Sequence, residues 1–133
     1  MPTDRIRHRR HYKVTLADVF DAHDKALQVG GVEGVRDVGL IQSAIGRPYV
    51  GYYPALHCKS AALLESLANN HGFIDGNKRT ALLVVVLFLS KSGARIQGDD
   101  RQTALETLIL DVVNGETEID AIKRWFKERI VRD

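Results

Sequence analysis

The chain has 133 residues, 44% apolar and 27% charged, which is typical of one globular domain with a single core. Its one cysteine, Cys58, excludes an intramolecular disulfide. The longest apolar run, residues 81–89, is far shorter than the roughly 20 residues that span a bilayer. No secretory signal is recognisable. We therefore expect a cytoplasmic protein with no membrane partner.

The charge is unevenly distributed. Residues 4–13 carry five cations and one anion, a net +4, so the rest of the chain is close to −2. We interpret residues 1–13 as a flexible basic arm before a single domain that covers residues 14–133. The arm either contacts nucleic acid or an acidic partner, or is a solvated tail with no specific role. The second interpretation is the simpler one, and we expect no direct nucleic-acid binding.

The first half of the chain predicts two helices and an irregular segment. Thr15 and Asp18 have the spacing of a helix start, and the run that includes His23 stops at Gly30 and Gly31. On this apolar stripe a histidine is usually a hydrogen-bonded packing residue. Asp37 can cap a second helix, which ends before Pro48. Residues 48–54, with two prolines and three tyrosines, are either a packed surface loop or a flap for a partner.

The second half predicts four more helices. The third helix runs over residues 55–70, and a fourth, apolar on nearly all faces, runs over residues 77–92. Residues 95–98 are a short extended link. The fifth helix starts at Asp99 or Asp100, and the last is capped by Thr117 and continues through Ile130. The predicted architecture is all-α, about six helices around a buried fourth helix.

The junction between the third and fourth helices, residues 71–80 (HGFIDGNKRT), holds most of the chemistry. A glycine before a helix lets backbone amides converge, and these amides with the helix dipole form an anion site. Asn77 adds a side-chain donor, and Lys78 and Arg79 add positive charge. Phosphate is the anion most often bound in this way.

Asp75 and His71 complete the predicted site. A carboxylate beside bound phosphates requires a cation between them, and Mg²⁺ commonly binds one carboxylate plus substrate phosphates. His71 can act as a general base near neutral pH. Taken one at a time, these residues could instead be helix caps and a solvated face. Together within nine residues they indicate transfer of a phosphate-containing group from a nucleotide.

Two other kinds of site fit the sequence poorly. His71 and Asp75 could bind a transition metal, but no second His or Cys pair completes such a site at standard spacing. The glycine-lysine-serine/threonine phosphate loop is absent from the chain, which excludes an ordinary P-loop enzyme.

The pattern His-x-Phe-x-Asp-Gly-Asn-Lys-Arg, with the segment at residues 34–48, resembles the Fic/Doc (Fido) superfamily on its death-on-curing (Doc) toxin branch. The likeness extends from about residue 14 to residue 126. It implies an all-helical Fido fold in which His71 is the base that activates a target hydroxyl. It also implies that Phe73 anchors the loop, that Asp75 binds Mg²⁺, and that nucleotide phosphates contact Gly76, Asn77, Lys78 and Arg79.

Two positions depart from relatives that transfer AMP. Those relatives have glycine where this chain has Lys78, and a further arginine where it has Leu82. Doc proteins share the lysine, and the resemblance therefore implies a toxin that acts as a Mg-ATP-dependent Ser/Thr kinase. Its target would be elongation factor Tu, so that translation stops, and its inhibitor a Phd-type antitoxin whose tail folds as a helix in a groove. The alternatives are AMP transfer and a non-catalytic binding module.

Overall fold

The computed structural model describes residues 11–51 and 53–133 of the chain. In this part of the chain the secondary structure is almost entirely helical, as predicted. The helices are α1 (Leu16–Leu27), α2 (Val38–Gly46), α3 (Leu56–Asn69), α4 (Asn77–Lys91), α5 (Arg101–Val113) and α6 (Ile119–Arg129). A 3₁₀ turn (Arg47–Tyr49) follows α2, and two short strands, β1 (Ala94–Ile96) and β2 (Ile130–Arg132), pair with each other.

The first two helices begin with side-chain caps at the predicted residues. Thr15 and Asp18 form a reciprocal capping box at the start of α1. The Asp37 carboxylate accepts the amides of Gly39 and Leu40 at the start of α2. The Asp37 cap fixes the C-terminal end of the α1–α2 connection, which lies against the loop that precedes α4.

The core forms around α3 and α4. These two helices pack most extensively against each other, and α1 covers α4 while α6 covers α3. Leu63, Leu64, Val84, Val85 and Phe88 are fully buried between these layers. The prediction of a buried helix after the motif is confirmed, and α3 shares its central position. No helix in the described ranges is both long and apolar enough to cross a bilayer.

Two details of the C-terminal region differ from the sequence prediction. Glu118, not Thr117, is the residue that precedes α6, and its side chain makes no capping hydrogen bond. Ile130 belongs to β2 instead of the last helix, because its backbone is extended and pairs with Ile96 in an antiparallel ladder. Ile96, expected only as part of a link, is therefore in a strand.

The two irregular segments at the N-terminal side are partly fixed. The predicted basic arm lies outside the described residues up to position 10. Within its last three residues, Tyr12 donates its amide to Ser92 Oγ and its hydroxyl to Asp18. In the segment that was either loop or flap, Tyr53 accepts hydrogen bonds from Arg47 and Lys59. Side chains of the 3₁₀ turn and of α3 therefore hold this segment against the domain.

Candidate active site

The loop between α3 and α4 begins with a strained residue. His71 has a φ angle of 52°. It is the one non-glycine residue with positive φ in the described ranges. This conformation costs on the order of 1 kcal/mol and is typical of functional positions. It turns the His71 side chain out of the α3 helical path and leaves the residue exposed.

The loop is held along its length by the α1–α2 connection. The Gly72 carbonyl accepts the amides of Arg36 and Asp37, at 2.8 and 3.1 Å, and the Ile74 amide donates to the Gly34 carbonyl at 3.0 Å. A Cβ at Gly72 would collide with Ile41 of α2. Only glycine allows the backbone to approach α2 this closely, so the position after His71 is sterically determined.

Phe73 fixes the loop to α1. Its side chain is 2% exposed, as expected for an anchor. The ring stacks on His23 with centroids 3.7 Å apart and planes within 7°, and it meets Phe20 edge-on at 6.0 Å. Two aromatic side chains from one face of α1 therefore determine where this part of the loop lies.

Asp75 presents a carboxylate whose two oxygens both accept backbone amides. Val32 N donates to Oδ2 at 3.0 Å, and Gly76 N donates to Oδ1 at 2.8 Å. These hydrogen bonds, with the positive charges of Lys78 and Arg79, hold the pKa of the Asp75 carboxyl below its usual range. The carboxylate is exposed and remains ionised, and each oxygen keeps a lone pair for a further ligand.

The start of α4 concentrates positive potential. Gly76 precedes the helix with φ 80, no side chain caps the first amides, and the first turn contains no acidic residue. Lys78 and Arg79 instead place cations at the positive end of the helix dipole. Such placement is unfavourable by about 0.3–1 kcal/mol per charge. The sequence tolerates this conflict at a point where free amides can bind an anion.

Two of the predicted phosphate-binding side chains make hydrogen bonds within the protein. Asn77 accepts the Phe73 amide with Oδ1 and donates Nδ2 to the Phe73 carbonyl, both at 3.0 Å. Arg79 donates Nη1 to the Ala26 carbonyl at 3.0 Å, near the end of α1. Both side chains therefore stabilise the loop. Asn77 keeps one amide hydrogen, and Arg79 keeps further guanidinium hydrogens, for an external ligand.

Lys78 and Arg79 also line a cleft of about 440 Å³ between the first half of α4, α1 and α5. Its apolar lining includes Leu82, Leu83 and Leu110, and Leu110 is 50% exposed. The charged side chains of the lining are three cations, Lys25, Lys78 and Arg79, and one carboxylate, Glu106. The cleft therefore suits an apolar ligand surface that carries negative charge.

The side chains available at the site determine which metal ion it could bind. Across residues 11–51 and 53–133 no three His, Cys, Asp or Glu side chains converge to hold a metal ion. Asp75 would be a single protein ligand, and the remaining ligands would be phosphate oxygens and water. This donor set fits Mg²⁺, which keeps several waters, and it does not fit a structural transition-metal site.

The loop and the first turn of α4 contain all the predicted site residues, and three residues outside them contribute to the loop geometry in ways that were not predicted. His23 was expected to be a hydrogen-bonded packing residue, and its hydrogen-bond partner, which was not predicted, is the Asp75 carbonyl oxygen, 2.9 Å from Nε2. Val32 contributes a backbone amide to Asp75. Gly31, at φ 131, would place a Cβ 3.0 Å from Asp75 Oδ2. No local pattern could have identified them, because each acts on a residue more than forty positions away.

The chain is similar in sequence to known proteins. The sequence model of the Fic/DOC family matches residues 13–89, which include α1 and the complete loop. A protein named toxin Doc from Mycolicibacterium smegmatis is 39% identical over 102 residues, covering 73% of this chain and 78% of that protein. The protein kinase doc of Escherichia phage P1 is 32% identical over 114 residues, covering 82% and 88%. The chain belongs to the Fic/DOC family.

Proposed function

We propose that this protein is the toxin of a toxin–antitoxin system and acts as a Mg-ATP-dependent protein kinase. Its substrate is a Ser or Thr hydroxyl of a translation factor of the elongation factor Tu type, so that phosphorylation arrests translation in the cytoplasm. The names of the two relatives, a toxin and a protein kinase, support this assignment. In more general terms, we propose that the protein is an enzyme that transfers a phosphate-containing group.

The observation that carries the proposal is the positive charge at the start of α4. Uncapped amides, a left-handed Gly76 and two cations meet there beside an ionised carboxylate. This combination is not expected in a loop with a purely structural role, because cations at the start of a helix destabilise it. A nucleotide polyphosphate neutralises the cations, and its amide contacts replace the missing cap.

The residues divide the work of transfer. His71, exposed at the loop, accepts the proton of the target hydroxyl as that oxygen attacks the γ-phosphorus of ATP. The bond between this phosphorus and the β–γ bridging oxygen breaks, and ADP leaves. The Gly76 amide donates to Asp75, and the left-handed Gly76 leaves the next amides of α4 open to bind the phosphates. Lys78 binds them through its ammonium group, and Asn77 and Arg79 through their remaining hydrogens. Asp75 would hold Mg²⁺, whose charge, when bound, offsets the negative charge of the phosphates.

Lys78 and Leu82 favour phosphate transfer over AMP transfer. Lys78 stands where AMP-transferring relatives have glycine, and its side chain is exposed. Leu82, at the position of their additional arginine, is 9% exposed and apolar, so it supplies no phosphate contact. AMP transfer is the second candidate, because the Fic/DOC family model does not separate the two activities.

The cleft beside Lys78 and Arg79 supports a Phd-type antitoxin as the partner. An amphipathic helix with acidic residues would cover its apolar lining and neutralise its cations. Such a helix would lie next to both motif cations and would block the approach of nucleotide. A separate antitoxin could therefore inhibit this protein by binding to this cleft alone. Such inhibition does not require the toxin itself to bind nucleic acid.

Leu110→Asp tests this surface. The change places a negative charge in the exposed wall of the cleft, and we expect it to weaken antitoxin binding at least about 10-fold. Binding is measured by calorimetry with a Phd-type antitoxin as the probe. Val38→Asp is the matched control, since Val38 is 44% exposed at the start of α2 and does not line the cleft. Equal affinity of Leu110→Asp and wild type would exclude this binding site.

The proposed reaction is tested by incubating the protein with Mg-ATP and elongation factor Tu and then determining which group the target gains. A phosphoryl group supports the kinase, and AMP supports the second candidate. An unmodified target, with toxicity unchanged in His71 and Asp75 variants, would favour a non-catalytic binding module.

A further inference from the structure

His23 lies on α1, far from the motif in sequence, but it contacts the centre of the loop. The side chain is 5% exposed, and its ring is stacked on Phe73. A Cβ at Gly76 would lie 3.6 Å from the His23 ring, in ordinary contact, so the ring also adjoins the residue before α4. Packing of the ring accounts for its burial, but it does not account for its hydrogen bond.

That hydrogen bond has a defined direction. His23 Nε2 lies 2.9 Å from the Asp75 carbonyl oxygen, and a carbonyl oxygen can only accept. Nε2 therefore carries a proton and donates it. The bond joins α1 to the backbone of the proposed metal-binding residue, independently of the two amides that hold the Asp75 carboxylate.

The geometry of one peptide unit gives this bond a consequence for the site. The Asp75 carbonyl and the Gly76 N–H belong to the same planar trans peptide, so they point in opposite directions. His23 holds the carbonyl towards α1, which turns the N–H outward to Asp75 Oδ1, where it donates at 2.8 Å. The donor on α1 thus determines the orientation of the carboxylate and of the backbone that begins the anion site.

We propose that His23 is a positioning residue, which holds the Asp75–Gly76 peptide so that the carboxylate and the first amides of α4 face one bound group. The proposal rests on the proposed function in one respect, that Asp75 binds Mg²⁺ and the start of α4 binds phosphate. His23 itself does not contact the nucleotide or the target. Its effect passes through the orientation of a single peptide unit.

Two substitutions separate the hydrogen bond from the packing. His23→Phe keeps a ring against Phe73 and removes the donor. His23→Gln removes the ring but places an amide N–H where Nε2 was. We expect His23→Phe to raise the Mg²⁺ concentration for half-maximal transfer by about 10–100-fold, the usual effect of losing a residue that orients a metal ligand. It should also lower kcat while the KM for the protein target stays unchanged, and His23→Gln should restore most of both losses.

Val19→Ala is the matched control. Val19 is fully buried one turn earlier on α1, so the substitution reduces core packing of the same helix without touching the loop peptide. We expect a lower Tm and an unchanged Mg²⁺ requirement. The proposal is overturned if Val19→Ala raises the Mg²⁺ requirement as much as His23→Phe, or if His23→Gln is no better than His23→Phe.

Amide hydrogen exchange tests His23 without relying on catalysis. In His23→Phe the Gly76 amide should exchange faster than in wild type and in Val19→Ala, because its peptide is no longer held. Equal exchange rates in all three proteins would contradict the positioning role. If the wild-type protein transfers no group, the proposed function fails, and the exchange rates still decide whether His23 holds the loop.

Discussion

Replacing His71 is expected to lower the rate of phosphate transfer by about 10²- to 10⁴-fold, the usual contribution of a general base. No other histidine is exposed in the loop, so no neighbouring imidazole can accept the proton of the target hydroxyl. His71→Asn is a better variant than His71→Ala, because asparagine tolerates positive φ and alanine does not. Transfer is measured in single-turnover reactions with saturating Mg-ATP.

The same variant should relieve growth arrest when the protein is expressed without its antitoxin. His57→Asn is the matched control: His57 lies in the first turn of α3, at the opposite end of that helix from His71. It should keep both activity and toxicity. Growth arrest that persists in His71→Asn, in a protein with the wild-type Tm, would show that catalysis is not the cause of toxicity.

Asp75→Asn is expected to lower Mg-dependent transfer by on the order of 10²-fold or more, because loss of a bound cation removes several kcal/mol of transition-state stabilisation. The asparagine side chain has one acceptor oxygen, whereas both carboxylate oxygens of Asp75 accept a hydrogen bond from a backbone amide. Its NH₂ group would therefore face the amide of either Val32 or Gly76. The substitution removes the charge and also disturbs the direction in which the side chain points.

The measurement is a Mg²⁺ titration of transfer, with Asp37→Asn as the control. Asp37 caps α2, and asparagine is an equally good capping residue, so this variant should behave as wild type. Because the pKa of Asp75 is lowered, its carboxylate stays ionised at neutral and mildly acidic pH. The effect of Asp75→Asn should therefore be constant over that range. A wild-type Mg²⁺ requirement in Asp75→Asn would exclude Asp75 as the ligand.

The parts of the fold that depend on local chemistry could be predicted from the sequence. The helix caps depend on residues close together in sequence. Thr15 and Asp18 cap α1, and Asp37 caps α2, as predicted. The site residues lie within ten consecutive positions, so their proximity needed no tertiary information. The resemblance to the Fic/DOC family was recognised from these ten residues together with the segment at residues 34–48.

What could not be predicted depends on contacts between distant segments. β1 and β2 are three residues each, and Ile130 becomes extended only because Ile96 is beside it. Arg79 donates to the main-chain carbonyl of Ala26 on α1, an acceptor that no local residue pattern encodes. His23 is the clearest case, since periodicity places it on a buried face and only the fold brings it to the Asp75 carbonyl.

The most direct test of the proposed function is the intact mass of elongation factor Tu after incubation with this protein and Mg-ATP. Lys78 and the buried Leu82 lead us to expect a gain of one phosphoryl group, absent when His71→Asn replaces the wild type. Peptide mapping should place the group on a Ser or Thr hydroxyl. A gain of AMP, or an unmodified target while the wild-type protein still arrests growth, would contradict the proposal.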